Sequence, residues 1–319
     1  MTPCFLGIDT SNYTTSIALC DEDGQLLSDS RQVLTVKAGE RGLRQSEALF
    51  QHVRNLPEML ESLDFSRVQV VGIAASVSPR PVEDSYMPVF RAGSGQGRTL
   101  AHVQGIPFLP LSHQENHIRG AMYGCGIQSD RLDAPFLSVH FSGGTSEILK
   151  VTPREIGYDC EILGKTLDLN SGQLIDRIGV AMGLGFPAGK ALEALARQDV
   201  EHQFTISSRV EGQNFHFSGQ ENQALALLEG GAAQSAVAYA LFRAIGKTLE
   251  RAVRASAQAE GIRQVVFSGG VMANGIVRKT IEHRLKGSGI QLFFTDPRYA
   301  TDNAVGLALL AWEHYRQEK

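Results

Sequence analysis

Cysteine is scarce, with 4 in 319 residues. Cys4, Cys20, Cys125 and Cys160 form no C-x-x-C pair, which argues against a thiolate zinc site and against a disulfide scaffold; four reduced, buried thiols are expected. No stretch approaches the roughly 18 apolar residues that a membrane helix needs. The opening residues, Met1-Thr-Pro-Cys-Phe-Leu-Gly-Ile-Asp9, lack a basic segment ahead of an apolar run. A cytoplasmic chain with no membrane partner is therefore expected. An excess of positive charge is missing too: 30 Lys and Arg stand against 34 Asp and Glu, a formal net charge of -4. No general cationic field exists to capture nucleic acid, so any RNA contact has to be local or shared with a partner. Low-complexity tracts and long linkers are absent as well. What remains is a chain that is 43% hydrophobic, enough for one large or two ordinary cores.

The chain echoes itself. Phe5-Leu-Gly-Ile-Asp-Thr-Ser-Asn-Tyr-Thr-Thr-Ser-Ile17 aligns with Phe136-Leu-Ser-Val-His-Phe-Ser-Gly-Gly-Thr-Ser-Glu-Ile148 at a constant offset of 131. Identities fall at 5/136, 6/137, 11/142, 14/145 and 17/148, more than average composition gives by chance. Each copy reads as strand, polar turn, strand, a hairpin pattern. Hairpins share such features by their nature, yet the constant offset points to two similar lobes.

Between the echoes, apolar spacing predicts a helix over 41–63 despite Pro57, and a buried strand over 68–75. Residues 76–98, rich in Pro and Gly, read as a loop, and a helix is predicted over 112–123. The second half predicts a long Ala-rich helix over 231–260, a strand over 264–267, a helix over 275–285, a strand over 290–294 and a closing helix over 303–315. The fold class is α/β with mixed sheets.

Three stretches carry chemistry. In His113-Gln-Glu-Asn-His117, histidines at i and i+4 share one helix face and can reach one metal ion, although ordinary surface histidines take the same spacing. Glu115 lies about 200° around the helix from His113. It is better placed to form a capping box with Ser112 than to act as a hydrolytic base. The turns Phe141-Ser-Gly-Gly-Thr145 and Phe267-Ser-Gly-Gly-Val-Met-Ala-Asn274 expose backbone N–H groups where a phosphate or nucleoside can approach, with Gly143, Gly144, Gly269 and Gly270 removing side-chain bulk. Tight turns need the same residues. Their spacing matches neither the P-loop nor the dinucleotide-binding fingerprint. Arg91-Ala-Gly-Ser-Gly-Gln-Gly-Arg98 reads as a flexible loop rather than a phosphate site. Asp168 and Asp176 read equally well as caps or solvated charges.

Taken in order, Gly7-Ile-Asp-Thr-Ser11, His113-x-Glu-x-His117, Ser142-Gly-Gly-Thr145, Thr166-Leu-Asp168 with Gly172 and Asp176, Pro187-Ala-Gly189, Phe215-His-Phe-Ser-Gly219, Gly269-Gly-Val-Met-Ala-Asn274 and Thr301-Asp302-Asn-Ala304 resemble the tRNA N6-adenosine threonylcarbamoyltransferases, also called the glycoprotease or peptidase M22 family. The resemblance covers nearly the whole chain. It implies an actin, hexokinase and Hsp70-like fold of two duplicated lobes around a nucleotide cleft. The first lobe would span 1–133 with the closing helix 303–319, and the second 134–302. It implies transfer of a threonylcarbamoyl group from threonylcarbamoyl-adenylate to N6 of the adenosine beside the anticodon in tRNA, with partner proteins that make or deliver the adenylate. By position it implies His113, His117 and Asp302 as ligands of one divalent metal ion, iron or zinc, with His140 as a fourth. Phe141, Ser142, Gly143, Gly144, Thr145, Asp176, Gly189 and Asn274 match the positions that bind ATP or the adenylate. Asp9 is expected in an acid–base or orienting role.

Three stretches depart from the family pattern. Ser76-Val-Ser-Pro-Arg-Pro stands in place of a Gly-Pro-Gly-Leu turn, Asp168-Leu-Asn-Ser-Gly-Gln173 in place of Asp-Asp-Ala-x-Gly-Glu, and Gln220-Glu-Asn222 in place of Leu-Lys-Thr. Two expectations stand side by side: a metal-dependent transferase, and a paralogue that binds nucleotide and metal and pairs, through first-lobe helices, with an active transferase. A metallopeptidase is a poor third.

Overall fold

A computed structural model describes residues 1–11, 13–36, 43–127, 132 and 134–318. Asn12 of the first hairpin, positions 41–42 of the expected first helix and the lobe boundary at 133 lie outside the described residues. Two compact units separate by contact. The first comprises Met1–Arg131, Pro153–Asp159 and Arg298–Lys319; the second comprises Leu132–Thr152 and Cys160–Pro297.

The first unit runs β1 (Thr2–Ser11), β2 (Thr14–Asp21), β3 (Leu26–Val33), α1 (Gln45–Glu61), β4 (Val68–Ser78), α2 (Phe90–Gln104), β5 (Phe108–Ser112) and α3 (His113–Gly124). The second runs β6 (Phe136–Phe141), β7 (Ser146–Pro153), β8 (Tyr158–Lys165), α4 (Ser171–Ala181), α5 (Gly189–Ala196), β9 (Arg209–Glu211), β10 (Asn214–His216), α6 (Ser218–Glu229), α7 (Gln234–Glu260), β11 (Gln264–Ser268), α8 (Gly275–Leu285) and β12 (Gln291–Phe294); α9 (Val305–Gln317) closes the first unit. The main sheets have the orders β3-β2-β1-β4-β5 and β8-β7-β6-β11-β12. Each places an antiparallel hairpin beside strands that run parallel to its first member.

The 131-residue echo is a duplicated register. Asp9 pairs with Ser16 across β1–β2, and His140 with Glu147 across β6–β7, so the offset carries one ladder onto the other. The central strands explain the near-continuous apolar runs: residues 4–11 of β1 are all buried, as a strand covered on both faces must be. The second core gathers around α7, whose Leu241, Phe242, Ile245 and Leu249 are fully buried. Phe141, Phe215 and Phe217 meet there as offset or edge-on aromatic pairs with centroids 5.3–6.3 Å apart.

Two sequence expectations change. The 76–98 stretch is no loop throughout: β4 continues to Ser78 and α2 starts at Phe90, so Arg91–Arg98 is helical. The glycines that suggested flexibility let this helix lie close on the sheet. A Cβ at Gly93 would stand 3.0 Å from Ile8 and Thr10, and one at Gly97 3.1 Å from Phe108. None of the four cysteines is in a disulfide, but only Cys4 and Cys20 are buried, because Cys125 and Cys160 fall where an element ends or a strand faces outward. Pro57 is accommodated inside α1; the carbonyl it leaves without a donor belongs to Val53, on the exposed side.

Candidate functional site

The HxExH helix begins as the sequence predicts. Ser112 is the N-cap of α3; its Oγ accepts from the Glu115 N–H while Glu115 Oε2 accepts from the Ser112 N–H at 2.8 Å. Glu115 is buried, and its other oxygen accepts from the Tyr158 N–H (3.1 Å) and Arg154 (3.2 Å). Every part of this carboxylate is engaged in structure, and it ties Pro153–Asp159 to the first unit. It is not a base for hydrolysis.

That start puts His113 and His117 one turn apart, with their Nε2 atoms 2.9 Å from each other. Asp302 Oδ1 lies 3.3 Å from His117 Nε2 and 3.8 Å from His113 Nε2. One ligand atom from each of the three lies within 4.8 Å of the others, and all three residues are half-buried. Two imidazole nitrogens and one carboxylate oxygen in a shared space suit a borderline divalent ion such as iron or zinc.

Asp302 reaches the histidines because α9 packs tightly on β1 and α3. A Cβ at Gly7 would meet the Ala304 carbonyl at 2.4 Å, and one at Gly306 the Asn116 carbonyl at 2.1 Å. Asn116, between the two histidines, bonds α9 from both ends of its amide: Nδ2 donates to the Asn303 carbonyl, and Oδ1 accepts from the Leu307 N–H at 3.1 Å. Asn303 Oδ1 in turn accepts from the Val305 N–H at 2.9 Å. Neither asparagine carries a sequence signal beyond adjacency to a ligand.

Asp9 is fully buried behind His113. Its carboxylate accepts from Ser11 Oγ (2.7 Å) and Ser76 Oγ, and lies 3.1 Å from His113 Nδ1. Burial alone pushes Asp9 upward; the charge and hydrogen bond of His113, with the two hydroxyls, more than reverse this and hold it below the ordinary carboxylate value. For His113, burial pushes downward, while the charge and hydrogen bond of Asp9 and the charge of Asp302 raise it to about 9. With Nδ1 tied to a carboxylate, Nε2 is turned toward the three-ligand space, the arrangement that orients metal-binding histidines generally. Ser76 carries no local sequence signal for its contact with Asp9. Its counterpart emerges only in the duplicated fold: Ser268 pairs with His140 as Ser76 neighbours Asp9, and Ser268 Oγ lies 3.1 Å from His140 Nδ1.

His140, expected as a fourth metal ligand, belongs to the second unit, as do the expected nucleotide positions. There the Phe141–Thr145 turn is closed by Ser142 N–H donating to the Thr145 carbonyl (2.7 Å) and Thr145 N–H to Ser142 Oγ (3.1 Å). The N-terminus of α4 supports it: a Cβ at Gly172 would stand 2.7 Å from Gly143, and Asn170 Nδ2 donates to the Gly144 carbonyl. Space beyond Gly143, Gly144 and Gly270 is open, with no atom within 4 Å of a Cβ built at any of them. Gly269 is required by its backbone, at φ +92 with a Cβ 2.2 Å from the Phe141 carbonyl. Asp176 Oδ1 accepts from the Ala188 N–H (2.8 Å), placing Gly189 at the start of α5. Asn274 caps α8 by accepting from Ile276 and Val277 N–H, each at 3.0 Å. The structure therefore brings together His113, His117, Asp302 and Asp9 in one unit, and the Gly-rich turns in the other.

Asp168 resolves as a cap. Burial pushes it upward, but the Phe217 N–H, the Ser218 hydroxyl and further backbone N–H groups pull it down to about 2, and these bonds fasten the Thr166-Leu-Asp168 motif to the start of α6. The divergent Gln220 is buried and donates to Thr248 Oγ1 at 2.7 Å, while Glu221 pairs with Arg177.

Residues 40–309 match the family model TsaD, tRNA N6-adenosine threonylcarbamoyltransferase. A curated relative from Thermotoga neapolitana named tRNA N6-adenosine threonylcarbamoyltransferase is 28% identical over 317 residues, 97% of this chain and 93% of the relative. Among solved structures, HypF of T. kodakarensis superimposes with a TM-score of 0.63 at 14% identity, covering 99% of this chain and 48% of that one. Component A of the Acidaminococcus fermentans (R)-2-hydroxyglutaryl-CoA dehydratase gives 0.57 at 16% identity over 100% of both chains. A ROK family glucokinase from Streptomyces griseus gives 0.53 at 14% identity, over 98% and 99%. These structural likenesses establish the fold, the duplicated actin and hexokinase type that the motifs imply.

Proposed function

Because the chain belongs to the tRNA N6-adenosine threonylcarbamoyltransferase family, we propose that it transfers a threonylcarbamoyl group from threonylcarbamoyl-adenylate to N6 of the tRNA adenosine beside the anticodon. The observation that carries this reading on to chemistry is the convergence of His113, His117 and Asp302 on one space, with His113 held from behind by buried Asp9.

In this reading His113, His117 and Asp302 hold one iron or zinc ion. When bound, such an ion supplies Lewis-acid polarisation of donor oxygens and a fixed point for the donor. Asp9, with both oxygens occupied and no exposed surface, is assigned the orienting role rather than proton transfer: it fixes the His113 ring. Ser76 and Ser11 fix Asp9. In the second unit, the Phe141–Thr145 turn and Gly269-Gly270 are assigned the adenylate. Their N–H groups would bind its phosphate, Asp176 would keep Gly189 in place, and Asn274 would hold the start of α8. The N6 amine attacks the carbamoyl carbon, the bond from that carbon to the adenylate oxygen breaks, AMP leaves and the amine loses a proton. His140 is proposed to serve that second-unit site with Ser268.

The test is to supply threonylcarbamoyl-adenylate and unmodified tRNA, with and without extract containing partner proteins, and to measure threonylcarbamoyladenosine in digested RNA by mass spectrometry. Product is expected with the native chain and not with His113→Ala, His117→Ala. No product from a native chain that still binds metal and ATP would overturn the transferase reading in favour of the non-catalytic paralogue.

A further inference from the structure

One cavity of the first unit is lined by none of the ligand-cluster residues and has no part in the proposed reaction. It encloses 560 Å³, a volume typical of small-molecule sites. Its walls come from the β2–β3 turn (Glu22, Asp23), from α3 (Arg119, Tyr123) and from α9 (Trp312, Arg316).

Three features show a built site. Arg119 is 3% exposed; its Nε donates to Glu313 Oε1 at 2.7 Å, yet its Nη1 is buried without a hydrogen-bond partner. An unpaired buried guanidinium nitrogen is costly unless something supplies an oxygen to it. The Arg316 guanidinium lies 4.9 Å from the Trp312 ring centre, a cation–π contact that holds a second positive charge at the wall. The indole is itself fixed, donating from Nε1 to the Glu22 carbonyl at 2.7 Å and packing under Gly24, where a Cβ would come within 2.9 Å of the ring. The turn carrying the acids is rigid, because Asp21 Oδ1 accepts from the Asp23 and Gln25 N–H groups.

A simple anion fits poorly, since Glu22 and Asp23 line the same cavity and Glu313 already pairs with Arg119. A ligand with both signs fits the two arginines and the two acids of the turn. We propose that this cavity binds a free α-amino acid, its carboxylate on Arg119 and Arg316 and its ammonium on Glu22 and Asp23, with Tyr123 and Trp312 covering the side chain. The occupant would join α3 to α9, the helices that carry His113 and His117 and that follow Asp302.

Trp312 is the single tryptophan of the sequence, so its emission reports on the cavity directly. The full-length protein is titrated with the proteinogenic L-amino acids one at a time, and with acetate, methylammonium and inorganic phosphate at matched ionic strength. At least one amino acid is expected to give a saturable change, at about ten-fold or greater affinity than acetate or methylammonium, since two charge-assisted contacts replace one. Arg316→Gln and the double variant Glu22→Gln, Asp23→Asn are each expected to weaken that affinity about ten-fold. Both alter exposed side chains, so binding stays testable if Arg119→Lys fails to fold. No saturable change with any amino acid, equal affinity for acetate or phosphate, or an undiminished response in the variants would overturn the proposal.

Discussion

Asp9 shows how far a residue's identity and its role can separate. A carboxylate near the end of β1 left an acid–base and an orienting role both open. Its complete burial and its bonds to Ser11, Ser76 and His113 support the proposed positioning role. Asp9→Asn is accordingly expected to weaken metal binding about 10- to 100-fold while leaving the metal-free protein folded, because the amide cannot hold His113 Nδ1–H as a carboxylate does. Titration calorimetry with zinc measures it, and unchanged affinity would remove Asp9 from the site. The pairing of His113 with His117 was legible from spacing and Glu115 from the capping box. Ser76 and Asn116 were not legible, since their partners lie 67 and 187 positions away.

At the scale of elements, close helix packing explains which glycines matter. Gly306 faces a backbone oxygen that cannot move aside, whereas Gly95 in the middle of α2 faces open space. Gly306→Ala is expected to cost about 1–3 kcal/mol through overpacking and to separate α9 from α3. Gly95→Ala is expected to stabilise by about 0.5–1 kcal/mol, the ordinary gain of alanine over glycine inside a helix. Denaturant unfolding of the two variants measures both; a neutral Gly306→Ala would contradict the packing that delivers Asp302. Gly93 and Gly97 are why 91–98 reads as a loop in sequence, because periodicity and composition do not distinguish a glycine in a loop from one on a helix face pressed against a sheet.

For the molecule as a whole, His52 of α1 is expected to make stability fall in acid. It is fully buried, its Nδ1 lies 2.8 Å from Thr15 Oγ1 and its Nε2 has no hydrogen-bond partner. Burial lowers it to about 4, with a smaller opposing effect of Asp9. The unfolded chain then binds a proton near pH 6.5 that the folded chain refuses until about pH 4, so stability is lost as pH falls through that window. The loss is roughly 3 kcal/mol by the end of it, at 1.36 kcal/mol per unit. His52→Gln is expected to flatten the pH dependence of unfolding between 6.5 and 4, and a profile parallel to that of the native chain would sink this assignment. No described helix is long and apolar enough to cross a membrane.

The sequence by itself determined what depends on neighbours along the chain: the α/β alternation, the capped start of α3 with its two histidines on one face, and the duplicated hairpin whose 131-residue offset proved to be a conserved register. Tertiary structure alone decided what depends on contacts across long separations. It buried Asp9 behind His113, brought Asp302 to the histidines through Asn116 and the glycine contacts of α9, and set a buried arginine with one unpaired nitrogen in the wall of a cavity built by three separate elements. Local periodicity encodes which face a residue takes within its own element, but which residues finally meet is set by the close packing of elements distant in sequence.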